Sequence, residues 1–202
     1  MIYDISRTLS PSIAVWPGDP AFEIDWTQRI TERDPANVGR LSMSIHTGTH
    51  VDAPYHFLED GRTIDEVPLA VWMGDAVVVD AGEADVLGAE HVPRDVPPRV
   101  LFKTRHSAQP DDQWNPRFPH VDPDVAGVLS SAAVVLLGTD APSVDPLESE
   151  SLPAHRALAS HGIVILENLQ LSAVPPGRYE LIALPLKLKG MDGSPVRAVL
   201  IG

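Results

Sequence analysis

Four side chains able to bind a divalent cation fall within one short stretch, His46-Thr-Gly-Thr-His-Val-Asp-Ala-Pro-Tyr-His56: His46, His50, Asp52 and His56. Imidazoles combined with a carboxylate suit a borderline ion such as Zn²⁺ and need no thiolate. Gly48 lets the backbone turn between the first two histidines, and Pro54 fixes the turn that returns His56 towards them. In extended backbone the alternation of His50 and Asp52 aims both side chains at one face. Such a crowd of ionisable groups beside a glycine and a proline packs poorly unless a cation neutralises and orders it. The isolated His91, His106, His120 and His161 carry no such pattern and read as surface or satisfied core residues.

The composition narrows the chemistry. The 202 residues contain no cysteine, which removes thiol catalysis, iron–sulfur clusters, thiolate zinc sites and disulfides together. Any metal must rest on His, Asp or Glu. A net charge of −13 repels phosphate backbones and anionic lipid heads, so nucleic acid and membrane surfaces are poor partners. Asp4 lies where a secretion signal would be apolar, and no apolar run approaches the ~18 residues of a membrane span. A cytoplasmic protein is expected. A chain of this length forms one domain burying roughly 70% of its unfolded surface, so a metal would serve chemistry rather than folding.

The elements that must hold these residues fall into two parts. The N-terminal third is β-rich: strands are expected over 1–9, 22–30 and 40–46, the last because Leu41, Met43 and Ile45 alternate with Ser42 and Ser44 as in a half-buried strand. The run 75–80, centred on Ala-Val-Val-Val, is apolar enough for a fully buried strand. From residue 99 onward strands and helices alternate. A strand over 99–104 precedes a helix opened by Asp122-Pro123 and ending near Ala132, followed by a strand over 133–138. A second helix over 152–161, closed by Gly162, leads into a strand over 163–166. Right-handed crossovers then give a mostly parallel sheet, to which 179–186 and 196–201 add strands. Sites in such sheets form beyond the carboxyl ends of the strands, where Thr139-Asp140 and Glu167 fall.

Taken together, the motif and several distant segments resemble the metal-dependent cyclase-type hydrolases, and among them the bacterial kynurenine formamidases. The likeness spans nearly the whole chain. It is carried by Tyr3-Asp-Ile-Ser6, Val15-Trp-Pro-Gly-Asp19, the histidine motif, Gly138-Thr-Asp-Ala-Pro-Ser-Val-Asp-Pro146, Ala183-Leu-Pro-Leu-Lys187 and Ser194-Pro-Val-Arg-Ala-Val-Leu200. The resemblance implies an α/β domain with a mixed, partly parallel central sheet of the swivelling β/β/α kind and a β-rich N-terminal part. It implies a pair of divalent ions, Zn²⁺ first with Mn²⁺ as the alternative, held by His46, His50, Asp52, His155 and Glu167. It also implies His56 as the proton-transfer group, Trp16 against the substrate and a homodimer.

The activity so implied is hydrolysis of N-formyl-L-kynurenine to L-kynurenine and formate, by metal-activated hydroxide with His56 donating and accepting the proton. The same metal pair could instead open a cyclic amide, a lactone or an isatin-like ring. A non-catalytic metal-binding protein would keep the ligands without an open coordination position, and the presence of His56 and Trp16 argues against it.

Overall fold

The run Ala76-Val-Val-Val79 and the pair Leu136-Leu137 are too apolar for strands wetted on one side, and they form the centre of a sheet covered on both faces. The computed structural model describes residues 1–202. In chain order the strands and helices are β1 (Ile2–Asp4), β2 (Glu23–Gln28), β3 (Val38–Ser42), β4 (His50–Asp52), β5 (Met73–Gly82), β6 (Val86–Leu87), β7 (Arg99–Thr104), β8 (His120–Val121), α1 (Val125–Ser131), β9 (Leu136–Thr139), α2 (Pro153–Ser160), β10 (Val164–Glu167), β11 (Gly177–Ile182), β12 (Gly193–Pro195) and β13 (Val199–Ile201).

Nine strands make one mixed sheet in the order β1-β13-β11-β5-β7-β9-β10-β4-β12. The consecutive pairs β5–β7, β7–β9 and β9–β10 are parallel, as the alternation of strands and helices requires. Antiparallel strands extend both ends, with β11, β13 and β1 at one side and β4 and β12 at the other. The architecture is an α/β domain with a curled, partly parallel sheet, and no helix is long and apolar enough to cross a membrane.

Strand alternation sorts the core into two. Leu101, Leu136, Leu166 and Val51 face one cluster, which also takes in Trp72 and Leu200. Val100, Phe102, Leu137 and Ile165 face the other, where α1 and α2 pack with Leu129, Ala154 and Leu158. Burying a leucine in this way stabilises the fold by about 2 kcal/mol relative to exposure.

Some elements depart from the sequence pattern for identifiable reasons. The strand expected over 1–9 stops at Asp4, because the chain leaves the sheet edge and Arg7 donates its N–H to Thr49 Oγ1 instead. The strand expected over 179–186 ends at Ile182; Pro185, just beyond, has no N–H to offer a ladder. The final strand starts at Val199, since the N–H of Ala198 is taken by Ser6 Oγ. The largest departure is the expected half-buried strand over 40–46. The strand is Val38–Ser42, paired only with β2, and every residue of it is exposed. Ile24, Trp26, Val38 and Leu41 of this hairpin face solvent. The apolar alternation beyond it, Met43 and Ile45, belongs to the half-buried linker that leads into the histidine motif.

Candidate metal centre

Strand register brings the first groups together. In the β4–β10 pairing, His50 lies opposite Glu167 and Asp52 opposite Ile165. Val51 and Ala53 enter one core, so His50 and Asp52 point to the opposite, helix-covered face, and Glu167 shares that face with Ile165. From the helix layer α2 presents His155, flanked by buried Ala154 and Leu158. The strand expected over 40–46 would carry His46 at its end; instead β3 ends at Ser42, His46 lies in a turn, and His50 and Asp52 occupy a separate, fully buried strand.

The result is a ring of alternating imidazoles and carboxylates. His50 Nε2 stands 3.4 Å from Asp52 Oδ1 and 3.4 Å from Glu167 Oε2. His155 Nε2 stands 3.5 Å from Asp52 Oδ2 and 3.6 Å from Glu167 Oε1. Each carboxylate thus offers one oxygen to each imidazole. His46 joins on the outer side, its Nδ1 3.0 Å from Asp52 Oδ1.

The imidazoles are oriented through their other nitrogens. His50 Nδ1 donates to the carbonyl of Gly48 at 2.9 Å. Gly48 has φ +68°, and a Cβ there would lie 2.7 Å from Leu9, so only glycine lets that carbonyl approach without displacing the side chain. His155 Nδ1 donates to Asp145 Oδ2 at 2.6 Å, and the same carboxylate accepts the N–H groups of Ala154 and His155, tying the ring to the first turn of its own helix. Glu167 Oε1 accepts the N–H of Val144 at 2.8 Å, and β10 ends directly after it because Asn168 turns left-handed at φ 57°. In the neutral rings that bind a cation, these partners hold the proton on Nδ1 and leave both Nε2 atoms bare and aimed at the carboxylates, the arrangement by which outer partners prepare imidazoles for a metal.

Burial tests whether an ion fits. His50, Asp52, His155 and Glu167 are 1%, 1%, 3% and 3% exposed. His50 Nε2 and both Asp52 oxygens have no aligned hydrogen-bond partner, although imidazoles stand close by. A buried carboxylate with neither oxygen satisfied is costly, and a divalent cation among these atoms removes that cost. His50, Asp52 and Glu167 offer ligand atoms within 4.8 Å of one another, as do His46, Asp52 and His56. The donor set and its unpartnered atoms fit a divalent metal ion.

Without metal, protons take the cation's place. Burial works against charge on His50, yet Asp52 and Glu167 outweigh it and push the ring up to about 10. His155, also opposed by burial, is raised to about 10 by Asp145 and Asp52. His46 reaches about 9 through Asp192 and Asp52, again against burial. Asp52 is held well below the usual carboxylate range: burial alone would raise it, and His155, His46 and His50 overcome that.

The cluster forms the floor of a cavity of about 420 Å³. His56 lies on the short turn Pro54–His56, its ring packed against that of His46 with centroids 4.1 Å apart and planes tilted by 35°, and its side chain 30% exposed. Trp16 lines the cavity, packed edge-on against Trp114 at 5.4 Å and tilted against Phe118 at 6.1 Å. The seven residues singled out in the sequence, His46, His50, Asp52, His56, His155, Glu167 and Trp16, therefore meet at one place, the first six as a cluster and Trp16 in the cavity wall. Asp140, at the carboxyl end of β9, is not in the cluster; its carboxylate accepts the N–H and hydroxyl groups of Thr104 and Ser107.

Sequence reasoning missed Asp145, Asp192, Trp114 and His106. Asp145 and Trp114 sit in segments whose local patterns give no sign of a ring partner or a cavity wall. His106 is 7% exposed and lines the cavity, where burial and then Arg7 and Arg105 lower it to about 4, so it is neutral at physiological pH.

The Cyclase family model matches residues 3–146. The chain belongs to the cyclase family. Among its cyclase-family relatives, a kynurenine formamidase of Salinibacter ruber (strain DSM 13855 / M31) is 51% identical over 204 residues, covering 98% of this chain and 96% of the relative. A solved structure described as a potential metal-dependent hydrolase with cyclase activity superposes with a TM-score of 0.85 at 33% identity, over 99% of this chain and 96% of the other. Isatin hydrolase A from Labrenzia aggregata, solved with benzyl benzoate bound, gives a TM-score of 0.84 at 29% identity, over 99% of this chain and 93% of the other.

Proposed function

We propose that this cyclase-family chain is a hydrolytic enzyme, a kynurenine formamidase that converts N-formyl-L-kynurenine to L-kynurenine and formate. The observation that carries the reading is the buried set of unpaired ligand atoms opening into an aromatic-walled cavity with His56 at its edge. High identity over nearly full length to a kynurenine formamidase supports the substrate. One domain spanning residues 1–202 carries the activity.

In this reading His46, His50, Asp52, His155 and Glu167 hold two divalent ions, Zn²⁺ in preference to Mn²⁺. The split of the ring supports a pair, since Asp52 and Glu167 each turn one oxygen towards His50 and the other towards His155. When bound, such ions supply a water ionised near neutral pH and a positive charge for the carbonyl oxygen as it becomes an oxyanion.

The remaining work falls to the chain's own side chains. Trp16, braced by Trp114 and Phe118, offers an apolar surface for the aryl ring and sets the formyl group over the cluster. An aryl amine leaves poorly as an anion, so its nitrogen must gain a proton as the C–N bond breaks. His56 holds and delivers that proton, taking it from the attacking water. The enzyme works in the cytoplasm as a homodimer, for which the exposed apolar side chains of the β2–β3 hairpin supply the interface.

Likeness to isatin hydrolase A favours a second reading, opening of an isatin-like ring by the same groups. Assay of N-formyl-L-kynurenine before and after chelation, with isatin as competing substrate, separates the two. The formamide should be turned over preferentially, activity should vanish with chelator and return with Zn²⁺. Faster opening of isatin, or hydrolysis indifferent to chelation, rejects the proposal.

A further inference from the structure

Asp192 is not part of the ring of buried ligands, yet one of its oxygens serves two imidazoles. Its Oδ2 stands 3.0 Å from His46 Nε2 and 3.2 Å from His56 Nδ1. The carboxylate is anchored from both sides of the chain. The Asp192 carbonyl accepts the N–H of Ala53, the Met191 carbonyl accepts that of Ile64, and Gly193 opens β12 opposite Asp52. A Cβ on Gly193 would lie 2.7 Å from the carbonyl of Val51, so this strand approaches closely only with glycine there.

We propose that Asp192 is the positioning residue of the site: by accepting from His56 Nδ1 and His46 Nε2 on one oxygen, it fixes which nitrogen of each ring faces the chemistry. The inference rests on the reading of His56 as the proton-transfer group. An acceptor at Nδ1 places the proton of neutral His56 there and leaves Nε2 bare, ready to take a proton from water and return it to the leaving nitrogen. An acceptor at His46 Nε2 leaves Nδ1 bare, and Nδ1 is the atom 3.0 Å from Asp52 Oδ1. With the two ring centroids 4.1 Å apart, a shared oxygen couples the orientation of the outer ligand to that of the proton carrier. Asp145 performs the corresponding task for His155, and Gly48 for His50, so each of the four imidazoles has a fixed partner on the nitrogen turned away from its work. Asp192 differs in being one-third exposed, which lets its effect be removed with little disturbance of the core.

The test uses the full chain loaded with Zn²⁺ and labelled with ¹⁵N in histidine. Long-range ¹H–¹⁵N correlation spectra read which ring nitrogen bears the proton, and His56→Ala assigns the His56 signals. The wild-type protein should show neutral His56 protonated on Nδ1, and Asp192→Asn should shift the population towards Nε2–H, because the amide can donate where the carboxylate could only accept. At saturating Zn²⁺, Asp192→Asn should lower kcat for N-formyl-L-kynurenine by about 10- to 100-fold while KM moves less than about 2-fold. Asp192→Glu should recover part of the loss. In a His56→Ala background the same Asp192→Asn change should cost clearly less kcat than in the wild type, since the part that acts through His56 is gone and only the orientation of His46 remains. An unchanged His56 tautomer in Asp192→Asn, or an undiminished loss in the His56→Ala background, overturns the proposal. Absence of formamide hydrolysis by the wild-type protein would instead reject the substrate, and the tautomer measurement would still decide the role of Asp192.

Discussion

On the inner side of the cluster, His50, Asp52 and Glu167 stand on paired strands and His155 on a helix packed over them, whereas on the outer side His46, His56 and Asp192 stand on loop and turn segments. The inner groups are almost wholly buried; the side chains of His46, His56 and Asp192 are 19%, 30% and 34% exposed. The difference matches what each side must do. A ligand oxygen that strays from its ion forfeits the binding, so it belongs on backbone locked by a sheet. A proton carrier must meet substrate and solvent, so it belongs at the edge of the cavity.

The sharpest way to break this comparison is to remove a group from each side. Asp52→Ala removes the carboxylate that reaches both imidazoles and should abolish metal binding together with activity, read by metal analysis and by rate. His56→Ala should keep its full metal content while losing about 10²- to 10⁴-fold in turnover, the usual contribution of a proton-transfer group. Equal metal content and equal rates in the two variants would erase the distinction between the sides.

A smaller effect probes how the inner side is held. Asp145→Asn keeps an acceptor for the helix N–H groups but weakens the hold on His155 Nδ1. Metal affinity should fall about 10- to 100-fold in a competition titration, with little change in far-ultraviolet circular dichroism. Unaltered affinity would assign Asp145 to capping of α2 alone.

The gentlest probe is pH, and its sign differs between the loaded and stripped protein. In the metal-free chain His50 and His155 are raised to about 10 and His46 to about 9. Their folded-state values exceed the unfolded value near ~6.5, so their stabilisation is complete below that pH and is lost as pH rises towards the folded values. Bound metal requires the neutral rings and displaces those protons, so its contribution grows over the same interval. The gap in Tm between Zn²⁺-loaded and chelated protein should therefore widen from pH 6.5 upwards, and binding at pH 7 should release protons, seen as buffer-dependent heats in calorimetry. A gap independent of pH would remove His46, His50 and His155 from the ligand set.

Much of the site could be read along the chain because its central pieces are local. His50 and Asp52 alternate as a strand requires, Gly48 turns the backbone between two histidines, and Pro54 opens the turn bearing His56; each follows from the geometry of a few bonds. The alternating strands and helices after residue 99 likewise announced the parallel order of β7, β9 and β10. His155 carries no such local mark, being one helix residue, and only resemblance to the cyclase-type hydrolases singled it out; Glu167 stood out by its place at the carboxyl end of a strand, and the resemblance made it a ligand. The alternation around Leu41 misled for a related reason. A period of two states that side chains face opposite ways, and it says nothing about whether a second layer exists to cover them.

The sequence alone determined the kind of chemistry: without cysteine, and with histidines and an aspartate at strand and turn spacing, a cation held by nitrogen and oxygen was the physical solution. The tertiary structure decided the arrangement. It chose which face of β4 the ligands occupy, set Glu167 across from His50, lowered His155 onto both carboxylates, and supplied Asp145 and Asp192 as ring partners from ten and more than a hundred residues away. Those choices depend on register, crossover and burial, which are properties of chain segments packed against each other and have no expression in any segment alone.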